Sequence, residues 1–412
     1  MASLTGQSIA ASYEQLLHVD ADGGGSTTTL LPIKDGDNGT TFALAISTTA
    51  ISLNATNRIY LDGTSGHTYI DEESDNLLRI AVGAAEVMKL DADSRVSLSN
   101  NDSGTNNTLL GKYSGLSILS GGNHNTFLGE RAGYEHKLGE GNIAIGSGAF
   151  DASYVNDTTD AGNDNNVFIG RNAGSGTWVA AGSDVAHANH DNIGIGTSAL
   201  AGAMTGSEGN IGIGTDAGNQ ETTGNRNTVL GYGAMDQSGD ANSSDAGMAS
   251  HDNVFIGHDS GGGNWTHNPS GNNVAIGAGT MEGAMNDANG NVAVGKGAGA
   301  GITTGDNNVL IGLQAGETIA AQGNCVCIGN LAGGDINNSG ANGSVAIGHS
   351  ALSAATQGAG NTAVGFQAGN VLTTGGTNTI IGYDADVDAN SRAGCIIIGS
   401  SLSLNTASDN VV

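Results

Sequence analysis

Three groups of residues have types and spacing suited to chemistry. Asp384, Asp386 and Asp388, followed by Asn390, offer oxygen ligands at every second position, a calcium-like spacing. The Gly and terminal Glu of an EF-hand loop are missing, and so is the glycine-rich nonapeptide of calcium-binding β-helices, so a solvated loop is the better reading. Asp35 to Gly39 is weaker still and reads as a turn. His187 and His190 stand close together in a loop, as a metal-ligand pair or as two exposed histidines. Trp178 and Trp265, the latter beside His267, either stack on surface sugars and anchor a protein contact or cap the interior of the fold. Other carboxylates are scattered, with no focused pair to face each other across a sugar as a glycosidase needs. No catalytic residue is assigned, and the chain reads as non-enzymatic.

What positions these residues is a repeat. From residue 107 onward the order is Asn, a β-branched residue, an apolar residue, Leu/Ile/Val, Gly, two variable residues and usually Ala. Asn166 to Gly170, Asn273 to Gly277 and Asn308 to Gly312 are clear copies. Sixteen copies occur, most often 17 residues apart, which is the self-similarity of a solenoid. The Gly never varies, implying φ > 0 or very close backbone approach at a corner. The Asn slot holds Asn in all copies except those with Cys325, Ser344 and Cys395. Asn tolerates left-handed φ, which suits the opposite corner, and stacked Asn side chains would form a hydrogen-bonded ladder.

Side chains alternate along a strand, so the residues flanking the central apolar position share one face and the central residue takes the other. Both faces are apolar, yet a coil of this size has one interior. The second face therefore needs a partner along the whole array, because left in water it would exceed the apolar patch a monomer tolerates. Cyclic self-association about an axis parallel to the solenoid is the economical solution. At ~4.8 Å per rung, sixteen rungs would run roughly 75–80 Å. Cys325 and Cys395 lie too many rungs apart to pair, so free thiols are expected.

Composition agrees. Seventy glycines in 412 residues without a triplet period exclude collagen, and 38% apolar content interleaved at regular spacing excludes disorder. Aromatics at 4% suit a narrow interior. A net charge of −28 argues against nucleic acid or anionic lipid as partner, and no apolar run is long enough for membrane insertion. The first residues, Met1 to Gly6, read as no secretory signal.

The Asn-x-Val-Ala-Ile-Gly-x-x-Ala pattern, seen from Asn273 and again from Ser344 to Ala351, resembles the head repeats of trimeric autotransporter adhesins. The resemblance covers residues 107–402 and implies a parallel β-roll wound as a homotrimer. The preceding segment resembles bacteriophage tail-fibre and related virion proteins, through Arg58 to Gly63, His67 to Glu73, Leu77 to Val82 and Met88 to Asp91. The opening Ser3 to Gln7 and Tyr13 to Leu17 are similar to the starts of fibre proteins that attach to a virion.

The expected architecture is all-β. Residues 1–35 form an N-terminal docking segment, with Ile9, Tyr13 and Leu16 at helical spacing; a frayed terminus is the alternative. Residues 36–104 form a β-meander or β-prism-like shaft. Residues 105–412 form a parallel β-roll of about sixteen coils with insertion loops. The resemblance implies a virion fibre that meets a host surface glycan or protein and joins tail or capsid proteins through its N-terminus. Trp178, His187, His190, Trp265 and His267 are the receptor-contact candidates. Alternatives are a structural or decoration fibre, a bacterial surface adhesin head and, further off, a glycan depolymerase spike. No cofactor is expected beyond the calcium candidate.

Overall fold

The computed structural model describes residues 104–403 except 153–162, 177–188, 203, 205, 221–223, 238–249, 266–267 and 338. Before residue 104 it describes nine short strands and residues 61 and 68. The chain divides into two compact units, residues 1–100 and 101–412.

The first unit contains two antiparallel meanders. One runs through β1 (His18–Val19), β2 (Leu31–Lys34), β3 (Thr41–Ile46) and β4 (Ile51–Leu53) in that order. The other runs through β5 (Arg58–Tyr60), β6 (Tyr69–Ser74), β7 (Leu77–Val82), β8 (Ala85–Leu90) and β9 (Val96–Ser97). The meander expected from alternation is present. β2 pairs with β3 across residue 35. Ile9, Tyr13 and Leu16 lie outside the described residues.

The second unit is a parallel solenoid. Sixteen three-residue strands, from β10 (Thr108–Leu110) to β25 (Ile396–Ile398), form one sheet in strict sequence order. Register is rung on rung, so that Val309, Leu310 and Ile311 pair with Val326, Cys327 and Ile328. The short coils leave no room for helix, and a single 3-10 turn, Ser339–Ala341, is the one helical element among the described residues.

Backbone sterics explain the invariant glycine. In every rung it has φ between +130° and +157°, and from Gly111 to Gly382 an added Cβ would meet the carbonyl of the glycine one rung on. Both readings of the slot hold: the conformation and the close approach. The opposite corner differs from expectation. The left-handed residue is not the Asn but the one before it: Asn165 (φ 56°) before Asn166, Asp252 (59°) before Asn253, Asn307 (59°) before Asn308.

The Asn side chains point inward and build the expected ladder. The Asn308 backbone N–H donates to Asn291 Oδ1 at 3.0 Å, and Asn308 Nδ2 donates both to that oxygen, at 3.0 Å, and to the Gln322 carbonyl, at 2.8 Å. The same bonds recur at Asn166, Asn210 and Asn273. A buried amide thus satisfies its own donors and a neighbour's backbone, which a narrow dry coil demands. Cys325 interrupts the ladder: its N–H donates to Asn308 Oδ1 at 2.9 Å, but its thiol makes only long contacts with the Gly323 and Ala341 carbonyls. All three cysteines are buried free thiols.

The interior is filled by exchange of volume between two places six residues apart. Where the central strand residue is large, the partner is glycine: Phe127 with Gly133, Phe168 with Gly174, Phe255 with Gly261. Where it is small, the partner is large: Ala144 with Phe150, Gly194 with Leu200, Ala275 with Met281. Gly212 with Gly218, Ala293 with Gly299 and Ala363 with Gly369 are small at both places; there Leu200, Ile302 and Leu352 reach the space beside the glycine, so close packing is kept with few aromatics.

Candidate interaction surface

The central residue of each strand faces the interior, and its two neighbours face outward. Along the sheet the outward residues are Thr, Val or Ile in one column and Leu, Ile or Val in the other. They are half-buried to exposed. In the second column nine of the sixteen residues are exposed, from 36% at Ile213 and Ile347 to 59% at Ile398, and the other seven are half-buried. This is a continuous apolar stripe on the outer side of sixteen paired strands. Few soluble surfaces carry one so long without covering it.

Beside the stripe runs the column of residues that follow the glycines. In the C-terminal rungs it is aromatic. His349, Phe366 and Tyr383 stack on consecutive rungs with ring centroids 5.2 and 5.1 Å apart and planes 15° and 10° from parallel. Tyr232 and His258 stack likewise at 5.3 Å. The ring faces are taken up within the stack, so a partner meets chiefly ring edges and the apolar column alongside.

The inserted segments return to the coil at fixed points held by a second, shorter set of side-chain bonds. Asn189 donates its backbone N–H to Asn163 Oδ1 at 3.3 Å, and Asn189 Oδ1 accepts from Ser207 N–H at 2.8 Å. Ser250 Oγ accepts from Ser270 N–H at 3.2 Å, and Ser270 Oγ from Ala288 N–H at 3.1 Å.

The candidate contact residues do not come together. Trp265 is a core residue rather than an exposed contact. It is 3% exposed, its ring packs edge-on against Phe255 at 5.5 Å, and its indole N–H donates to the Gly261 carbonyl at 3.0 Å. The longer coil there needs a larger filler, and Met204 and Met285 are buried at the matching place in two other rungs. His190 lies at a coil corner. Its Nδ1 is 2.9 Å from Asp191 Oδ2 and its Nε2 3.9 Å from Glu208. Trp178, His187 and His267 lie outside the described residues.

The calcium candidates do not converge either. Asp386 is buried and spends its oxygens on backbone, accepting from Val371 N–H at 2.7 Å and Val387 N–H at 2.8 Å. Burial raises its pKa above the usual carboxylate value. Asp388 instead pairs with Arg392 at 2.6 and 2.8 Å, and the hydrogen bond holds its pKa low. Among the described residues no group of three or more His, Cys, Asp or Glu is placed to hold a metal. The repeat residues Asn166, Gly170, Asn273, Gly277, Asn308 and Gly312 all sit where the pattern puts them, at the ladder and the glycine corner. Sequence reasoning missed the aromatic column and the six-residue volume exchange. Both are visible once the copies are aligned on their glycines.

Compared with protein-family models, curated proteins and solved structures, the chain gives no match.

Proposed function

We propose that the chain is one subunit of a self-associating, non-enzymatic fibre, in which the solenoid is a rod and the inserted segments make contacts, as in a virion attachment fibre. The observation that carries this reading is the apolar stripe along the outer face of the sheet. Its occupant must offer apolar groups at the same ~4.8 Å spacing over sixteen rungs. A second copy of the chain does so by construction. Burying a side chain already about 40% exposed contributes about 0.5–1 kcal/mol, so one column summed along the array yields on the order of 10 kcal/mol. That compares with an association cost of about 4–15 kcal/mol, so a few rungs would not hold two copies together but the whole stripe can. Three copies is the number implied by the resemblance to adhesin heads. In this reading residues 1–35 dock on tail or capsid and the assembly resides in the virion.

Light scattering on the purified chain tests it. The expected mass is three times the 40.6 kDa of one chain, and Ile276→Glu with Ile311→Glu lowers it by placing charges in the stripe. A soluble wild-type monomer overturns the reading. A second reading, a structural fibre without a receptor, is favoured by one observation: Trp265 serves the core. Binding of the purified assembly to host cells separates the two.

A further inference from the structure

Two corners bound the outer face of the sheet: the column that follows the glycines, and the left-handed column just before the ladder residue. Their chemistry changes together along the array. In the early rungs both are polar, and Glu130 and Arg171 after the glycine share rungs with His124 and Asp164 at the other corner. In the last rungs the column after the glycines carries the stacked rings of Phe366 and Tyr383, 38% and 57% exposed. On those rungs the left-handed corner carries Gly360, Thr377 and Gly394, and it is bare. A Cβ on Gly394 would meet nothing within 4 Å, and one on Gly360 only the Thr377 methyl at 3.9 Å. At Gly141 and Gly290, at the same corner of earlier rungs, an Asn side-chain oxygen lies 2.7 and 2.8 Å from that position. Left-handed φ does not by itself demand glycine here, since Asp252, Asn307 and Asn324 hold it in other rungs. We infer that Phe366 and Tyr383 of one copy seat edge-on against the Gly360–Thr377–Gly394 corner of a second copy at the same height. This contact rests on the self-association proposed above and adds its register and the two corners that meet.

Symmetry makes the two corners meet. Rotation about an axis parallel to the solenoid leaves height unchanged and brings one corner of a copy against the opposite corner of its neighbour, whatever the number of copies. A ring edge packs closely on bare backbone, where a second large side chain would hold it off. The rings are already ordered by stacking within their own column, so little freedom is lost when they seat. The charges agree with the same register. The charged residues after the glycines are Lys112, Glu130, Arg171 and Lys296, and none shares a rung with a like charge at the other corner. A slip of one rung would set Glu130 against Glu140. An antiparallel pair would lay the rings against the polar end of the array. Only parallel copies at equal height match rings to the bare corner and opposite charges to each other along the same column.

Disulfide trapping in the full-length chain tests the contact. Thr377→Cys and Tyr383→Cys in one chain place thiols at the two corners of a single rung, roughly 20 Å apart along the strand and so too far to pair within a chain. The three native cysteines are buried. Mild oxidation should link copies to one another on a denaturing gel. Thr377→Cys with His349→Cys, whose corners differ by two rungs or ~10 Å, should not link. An oligomer by light scattering in which the first pair forms no bond overturns the seat and leaves self-association standing; equal linking by both pairs overturns the register; a monomer overturns both proposals. Hydroxyl-radical labelling of wild type gives a second reading that needs no substitution. Tyr383 should react at least tenfold more slowly in the native protein than in urea. A ring left 57% exposed, as in a single chain, would slow only about twofold, and that result also overturns the seat.

Discussion

Replacing Gly312 by Ala should be far more damaging than the same change at Gly343, though both are glycines with positive φ at corners of neighbouring parts of the array. At Gly312, φ is +140° and a Cβ would sit 2.4 Å from the Gly329 carbonyl oxygen, 2.6 Å from its carbon and 3.1 Å from Asn330 N. All three atoms are backbone, so no rotamer change relieves the clash. At Gly343, φ is +67° and nothing lies within 4 Å. In the unfolded chain both changes act alike, stabilising the fold by about 0.4–1 kcal/mol. At Gly343 the left-handed conformation costs Ala about 1–2 kcal/mol, leaving a small net loss. At Gly312 the strain of a nearly Gly-only region costs about 1–3 kcal/mol. Moving the rungs apart also weakens the bonds from Gly312 N–H to Val294 O and from Gly329 N–H to Ile311 O, both 2.8 Å, at about 1 kcal/mol each. The expected difference between the variants is therefore roughly 1–4 kcal/mol, centred near 2.5. Urea denaturation measures it, with hydrogen exchange on residues 292–331 locating the loss. If the two variants agree within about 1 kcal/mol, close rung approach does not explain the invariant glycine. Gly343→Asn, the residue type used before the ladder Asn in other rungs, should be near neutral by the same assay.

Four further outcomes follow from the interior. Gly133→Ala would place a Cβ 2.3 Å from the Phe127 ring and should cost about 1–3 kcal/mol. The exchange Phe127→Ala with Gly133→Phe copies the Ala144–Phe150 arrangement and should recover most of the loss of either single change in a double-mutant cycle. Cys325→Asn should stabilise the array by about 1 kcal/mol in thermal or urea unfolding, because it restores the amide that bridges Asn308 to the next rung. The thiols of Cys325, Cys327 and Cys395 are buried, and burial raises the pKa of the first two; a thiol reagent should label all three only after denaturation, and rapid labelling of native protein would contradict the packing.

The solenoid, its sixteen rungs and its ladder were legible because each slot obeys a local steric rule. A residue with φ near +140° must be glycine, and a buried amide must be satisfied by its neighbours, so Gly repeats in every copy and Asn in all but three. The left-handed corner was misplaced by one residue because that position tolerates Asn, Asp, Arg, Thr, His or Gly, and no single type marks it. The sequence leaves Trp265 open between a surface contact and a cap of the interior, because it falls in an insertion. The chain there is only slightly longer than a standard coil, and its extra length turns inward over Phe255. The calcium-like spacing at Asp384, read in the sequence as a solvated loop, does not bring its carboxylates to one point. It lies at a corner, where Asp384 adopts φ of 51° and the next two carboxylates are drawn to backbone and to Arg392 instead of to one point.

Regular rungs also fix where the irregular segments can emerge. Long steps follow Gly146 and Gly170, and again Gly231 and Gly257, while the rungs closed by Gly196 and Gly214 lead on through short coils. Since every rung superposes on the last, segments leaving from the same stage of the coil leave from the same edge. The inserted segments therefore fall into two groups about four rungs apart, or ~19 Å along the array. Their return points are tied rung to rung, Asn163 to Asn189 to Ser207 and Ser250 to Ser270 to Ala288, so each segment begins and ends on a rigid frame. In the proposed fibre, the stripe that would bind neighbouring copies is separate from the tied points at which the inserted segments return to the coil. That separation lets the segments vary in length without disturbing either the ladder or the stripe.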